Sequence, residues 1–147
     1  MTLSRDSVEA LRAQFSGAVL EANDPGYDAA RAVHNGMIDK RPALIATCLN
    51  SADIADAVRF ARSEGLEISV RGGGHNPAGK AVTSGGLMIN LAPMRGTHVD
   101  PVRRRARVQG GANWNDYNRA TAQHGLATTG GIISTTGVAG LTLGGGI

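Results

Sequence analysis

Glycine sets the tightest constraint on what this chain can fold into. Of its 21 glycines, 4 lie between Met1 and Arg71 and 17 lie beyond. A segment so rich in glycine has few side chains to bury and loses the most backbone freedom on folding. In return it lets main chain approach a ligand, or another main chain, unhindered. The charge divides near the same place: residues 1–67 hold 7 Lys/Arg against 10 Asp/Glu, and residues 68–147 hold 8 against 2. The glycine-rich half is therefore also the cationic half, which suits an anionic small molecule or nucleic acid met by backbone.

With 147 residues, 41% hydrophobic and 18% charged, the chain has the size and composition of one globular domain. Its 5 prolines and the lack of a G-X-Y period set aside collagen and low-complexity disorder. Two Phe, two Tyr and one Trp are too few for a stacking platform on single-stranded nucleic acid. The lone Cys48, inside an apolar run, excludes a disulfide framework and reads as a buried, inert thiol. The charged N-terminus has no signal-peptide pattern, and no apolar stretch is long enough for a membrane span, so a soluble, cytoplasmic protein is expected.

Asp6 with Glu9 has the spacing of a capping box ahead of Val8, Leu11 and Phe15, and Gly17 ends that helix. Ala18–Leu20 is a short apolar piece, and Tyr27–Val33 supplies one or two helical turns. Ala43–Cys48 reads as a buried strand. Ser51 caps the clearest helix, with Ile54, Ala57, Val58 and Ala61 as its apolar stripe and Gly65 as its stop. Leu66–Val70 follows as a strand, giving a β-α-β unit from which the loop Gly72-Gly73-Gly74 departs. Gly86–Leu91, Thr97–Asp100 and Arg105–Gln109 are short strands, and Asn113 caps a helix through about His124. Leu126–Ile147, with 7 glycines in 22 residues, receives no element.

Gly74 to Lys80 fits G-x-x-x-x-G-K, but Ala81 stands where Ser or Thr would hold magnesium, and Pro77 removes a donor. An NTPase is not expected. The triple glycine can still form a nest of N–H groups for a pyrophosphate, with Arg71 adding charge. A second cluster, Gly130-Gly131 to Gly137, Gly140 and Gly144–Gly146, suggests a long, bent ligand such as a dinucleotide. His75 sits in the first loop, where a neutral imidazole is a competent nucleophile. His34, His98 and His124 make no metal-like spacing, so no metal site is expected, and no Ser-His-Asp order appears. Arg103–Arg107 reads as a turn and an alternating strand with its arginines on the wet face; the other reading is a phosphate or nucleic-acid patch.

Four segments, Arg71–Gly79, Gly85–Gly96, Val99–Gly131 and Ser134–Ile147, together resemble the PCMH-type FAD-binding domain of the vanillyl-alcohol-oxidase flavoprotein superfamily. They are most similar to its berberine-bridge-enzyme-like and 6-hydroxynicotine-oxidase-like branch. The resemblance implies an α+β FAD-binding domain of two small α/β subdomains over residues 37–147, preceded by a helical extension over residues 1–36. It implies that Arg71, Gly72, Gly73 and Gly74 wrap the FAD pyrophosphate, and that Asn76 and Gly79 also bind the cofactor. Gly130, Gly131, Thr135, Thr136, Gly137, Val138 and Gly140 would line the ribityl and flavin path. His75 matches the histidine that many members join to the flavin 8α-methyl; no Cys lies near Ile133 for the second, cysteinyl bond of some members. Members continue well past a GGGI segment, so the resemblance implies an N-terminal fragment truncated on its C-terminal side, with the acid/base residues elsewhere. The implied chemistry is hydride transfer from a small-molecule substrate to flavin, with O2 as acceptor and no role for nucleic acid or membrane. The alternative is a non-catalytic basic ligand-binding or nucleic-acid-binding module.

Overall fold

The computed structural model describes residues 3–146 and has an α+β architecture of two sheets. The first 36 residues carry α1 (Arg5–Gln14), β1 (Ala18–Leu20) and α2 (Tyr27–Arg31). Next come β2 (Leu44–Thr47), α3 (Ser51–Ser63), β3 (Ile68–Arg71) and β4 (Leu87–Asn90). The chain then forms β5 (Thr97–Asp100), β6 (Arg105–Val108), α4 (Trp114–Ala122) and α5 (Val138–Gly144). The larger sheet has the order β1-β2-β4-β3: β1 runs antiparallel to β2, and β2, β4 and β3 run parallel. β5 and β6 form an antiparallel hairpin, against which α4 packs.

The central strands β2 and β4 are buried on both faces, which explains their unbroken apolar runs. Leu44, Ala46, Leu87 and Ile89 point to one side, where they meet Val8 and Leu11 of α1 and Ala57 and Ala61 of α3. Ile45 and Met88 point to the other, against Tyr27 and Val82. The Tyr27 hydroxyl, fully buried, donates to the Pro42 carbonyl at 2.6 Å.

Three local expectations are corrected. The capping box at Asp6 does not form: α1 starts at Arg5 behind Ser4, and Asp6 sits inside the first turn. Asn50, not Ser51, caps α3, its Oδ1 accepting from the amides of Ala52 at 2.8 Å and Asp53 at 3.0 Å. Val58 is 42% exposed, and the inward stripe of α3 is Asp53, Ala57 and Ala61. A carboxylate can occupy that stripe because it has partners: the Ser16 amide donates to Oδ1 at 2.9 Å and the Leu49 amide to Oδ2 at 2.8 Å. β2 and β3 lie parallel in one sheet with α3 between them in the chain, as the β-α-β reading expected, and β4 inserts between the two strands. Cys48 is fully buried, and burial together with the nearby Asp53 pushes its thiol up to about 12, so it is inert at neutral pH as expected. Among the described residues no helix is long and apolar enough to cross a membrane.

Burial alone would raise the Asp53 carboxyl, but the amides of Leu49 and Ser16 outweigh it and hold the group below the usual carboxylate range. A depressed folded value stabilises the fold above the ordinary Asp value of about 3.9, and that stabilisation drains away as pH falls through the lower folded value. Asp53→Asn is therefore expected to unfold with a shallower loss of stability between about pH 5 and pH 3 than the wild type. Asp53→Ala, which orphans both amides, should lose about 1–3 kcal/mol for each at neutral pH. Urea unfolding across that pH range checks both.

Candidate functional site: a cavity between two glycine loops

The loop that leaves β3 places Gly72–Gly74 at the junction of the two sheets. An ideal Cβ on Gly73 would lie 2.3 Å from the Gly137 amide nitrogen and 2.7 Å from its Cα. One on Gly72 would lie 2.8 Å from the Gly110 carbonyl. The opposing loop is held from below by α4. The Trp114 and Asn115 amides, in the first turn of that helix, donate to the carbonyls of Thr136 at 3.0 Å and Ser134 at 2.9 Å. Amides that a helix start leaves without intrahelical partners thus fix the loop. Asn113 and Asp116 close a reciprocal capping box at the same end, and the Val138 amide donates to the Ala112 carbonyl at 3.0 Å.

Between the loops lies an open cavity of about 340 Å³, at the lower end of the size range of small-molecule sites. It brings together Gly72, Gly73, Gly74, His75, Asn76, Thr136, Gly137 and Gly140 of the expected residues. Thr135 joins them through His75. Arg71 stands at the root of the loop, beside Gly74. Gly79 is packed on Ile38, and Val138 is buried beneath the second loop. Gly130 and Gly131 lie outside the cavity wall, pressed on the Trp114 indole, where a Cβ would meet the ring at 2.4 Å and 2.6 Å. Gly144–Gly146 of the second glycine cluster also line the cavity, as do Lys80 and Leu141, to which the sequence reading assigned no contact. α5 was missed as an element because glycine disfavours helix; the signal was Val138 and Leu141 at helical spacing. Ile147, the last residue of the recognised segment, lies outside the described residues.

The polar groups here are incompletely paired. Among the described residues, the successive amides of Gly73, Gly74, His75 and Asn76 have no acceptor. The Arg71 Nε is buried without a partner, and burial lowers the pKa of its guanidinium. His75 is half-buried, with Nε2 3.1 Å from the Thr135 hydroxyl and Nδ1 3.3 Å from the Thr136 hydroxyl. One nitrogen of a neutral imidazole donates and the other accepts, and a hydroxyl serves either. Burial, and then the charge of His34, hold His75 below its ordinary value, so the ring is neutral at neutral pH. No helix follows Lys80, in keeping with the rejected NTPase reading. Arg105 and Arg107 are exposed on β6 and Arg103 pairs with Asp100 at 3.1 Å, as the wet-face reading expected.

Residues 42–147 match the family described as FAD binding domain. The chain is 43% identical over 133 residues to (R)-6-hydroxynicotine oxidase of Paenarthrobacter nicotinovorans, a match covering 90% of this chain and 29% of that protein. Among solved structures it matches 6-hydroxy-D-nicotine oxidase from Arthrobacter nicotinovorans with a TM-score of 0.84 and 41% identity, over 87% of this chain and 28% of that one. It also matches glucooligosaccharide oxidase from Acremonium strictum, whose flavin is described as 6-S-cysteinyl, 8α-N1-histidyl FAD. That match has a TM-score of 0.86 and 32% identity, over 96% of this chain and 30% of that one. The chain thus spans somewhat under a third of the length of these relatives.

The contact between Gly73 and Gly137 leaves no room for a methyl group. Gly73→Ala is expected to cost about 1–3 kcal/mol, the usual range for overpacking, measured by thermal or urea unfolding. Gly36→Ala, whose Cβ would meet nothing within 4 Å, should leave stability unchanged within about 0.5 kcal/mol.

Proposed function

The chain belongs to the FAD-binding domain family, in the branch of 6-hydroxynicotine-oxidase-like and berberine-bridge-enzyme-like flavoproteins, and on that premise we propose that it is the FAD-binding portion of a flavin-dependent oxidoreductase. The observation that carries the proposal is the run of unengaged amides from Gly73 to Asn76 beside the unpartnered Arg71 guanidinium. A pyrophosphate calls for converging N–H donors and positive charge. Both are present, and the cavity lining holds no acidic side chain.

In this reading Arg71, Gly72–Gly74 and Asn76 hold the pyrophosphate, and Gly79 shapes the loop behind them. Thr135, Thr136, Gly137 and Gly140 form the side facing the ribityl chain and flavin, with Val138 buried beneath them and Gly130 and Gly131 shaping the loop from behind, on the Trp114 ring. Bound FAD supplies a two-electron acceptor that takes a hydride at N5 from a substrate C–H and passes the electrons to O2. The residues of this chain bind and orient the cofactor. The reaction partners are a small-molecule substrate and O2, and the compartment is the reducing cytoplasm, in keeping with the buried Cys48 thiol. The relatives are oxidases and FAD-linked oxidoreductases and lend nothing to the basic-module alternative; Arg103 in the turn before β6, and Arg105 and Arg107 on it, lie outside the lining of the cavity between the glycine loops.

His75 is the residue we assign to a covalent bond with the flavin 8α-carbon. It is neutral, so one nitrogen is unprotonated; its lone pair accepts from a threonine hydroxyl and becomes nucleophilic when that hydrogen bond is given up. The new C–N bond replaces one methyl C–H and the imidazole N–H; the two electrons and two protons released pass to O2, giving hydrogen peroxide.

Two variants of the FAD-loaded protein test the reading. Arg71→Ala should weaken FAD binding about 10- to 100-fold, the loss of a charge-assisted hydrogen bond, read by flavin fluorescence titration. His75→Ala should still bind FAD but release all of it to the supernatant on acid precipitation, whereas wild-type flavin stays with the pellet. Flavin released from both shows that His75 makes only a noncovalent contact; flavin retained by both places the bond elsewhere.

A further inference from the structure

The segment 34–40 belongs to none of the recognised motifs, yet it is tied to the His75 loop at four points. The His34 amide donates to the Gly74 carbonyl at 3.0 Å. Asn35 Nδ2 donates to the Pro77 carbonyl at 2.8 Å, and Lys40 Nζ to the Gly79 carbonyl at 3.0 Å. Ile38 fills the space beside Gly79, where a Cβ would approach its Cγ2 to 2.6 Å. The segment acts as a strap that spaces the loop on its outer side.

His34 adds a contact of another kind. Its imidazole lies face to face with that of His75, with ring centroids 4.1 Å apart and planes 11° from parallel. The threonine hydroxyls take the two nitrogens of the His75 ring at its rim. The stack therefore limits the tilt of the ring and the threonines limit its rotation.

We propose that His34 is a positioning residue for the flavin-linking histidine: its stack on His75, backed by the 34–40 strap, fixes the plane in which a ring nitrogen meets the flavin carbon. The inference rests on the attachment reading given above. Bond formation between two bound groups depends steeply on alignment, and a ring held in one plane avoids the orientational cost that a free side chain meets. The stack also acts electrostatically. His34 faces the ring, Lys80 lines the same cavity and Arg71 lies beside the neighbouring Gly74; among the described residues no acidic one lines that cavity. His34 adds to burial in disfavouring a positive charge on His75, so the ring keeps its lone pair.

The test is the rate at which acid-stable flavin forms when flavin-free protein is mixed with FAD, followed across pH for wild type, His34→Ala and His34→Phe. His34→Ala should slow attachment about tenfold or more while changing the preceding FAD affinity less than about threefold. His34→Phe, which restores a flat ring without its charge, should recover most of the rate. Its rate profile should move to higher pH, and NMR of isotope-labelled histidine should show His75 titrating higher than in wild type. Wild-type attachment that His34→Ala leaves at full speed overturns the inference alone, and so does a slow His34→Ala that phenylalanine does not rescue. Wild-type protein with no acid-stable flavin overturns the attachment reading and this inference with it.

Discussion

Among the places where backbone meets backbone too closely for a side chain, two involve the loop after β3: Gly73 against Gly137, and Gly72 against the Gly110 carbonyl. These contacts join the larger sheet to the β5–β6–α4 unit. The loop after β3 and the loop before α5 come from regions 60 or so residues apart, and a methyl group on either would separate them. Because they meet, the Thr135 and Thr136 hydroxyls reach the His75 ring, and the amides of Gly73–Asn76 are left facing a cavity instead of packed protein.

The polar groups of the two regions are served differently. The core carboxylate of Asp53 is paired, accepting from Ser16 and Leu49. At the cavity the amides of Gly73–Asn76 have no protein acceptor among the described residues, and the Arg71 Nε at the root of the loop is buried without a partner. Converging N–H groups and a cation suit an anion, and an anionic cofactor is the occupant we propose. His75 stands at the edge of the same region, kept neutral by burial and by its stacked neighbour.

Most of the strands were legible, to within a residue or two at their ends, because β-branched and aliphatic runs between turn residues reflect local packing. Thr97–Asp100 appears as expected, and the helix capped by Asn113 ends close to its expected place. The cap of α3 was misplaced by one residue, since Asn50 and Ser51 are both competent caps and only the amide geometry chooses between them. Val58 fits a helical apolar stripe as well as Asp53 does not. Asp53 turns inward because amides from α1's trailing segment and from the turn after β2 await it, and neither is visible in the helix sequence.

By itself the sequence determined where the chain could leave bare backbone, which half carried the excess of cations, and which histidine sat in the first glycine loop. It also carried the family, because glycines at fixed spacings are required wherever main chain meets main chain or ligand. Tertiary structure decided which glycine faces which. Gly73 meets Gly137, whereas Gly130 and Gly131 serve the Trp114 ring. It also placed β4 between β2 and β3, and it set His34 on His75 across 40 intervening positions of chain. Pairings of that range leave no periodicity in a single sequence, because what they satisfy is a contact between distant segments that exists only once both loops have been folded into place.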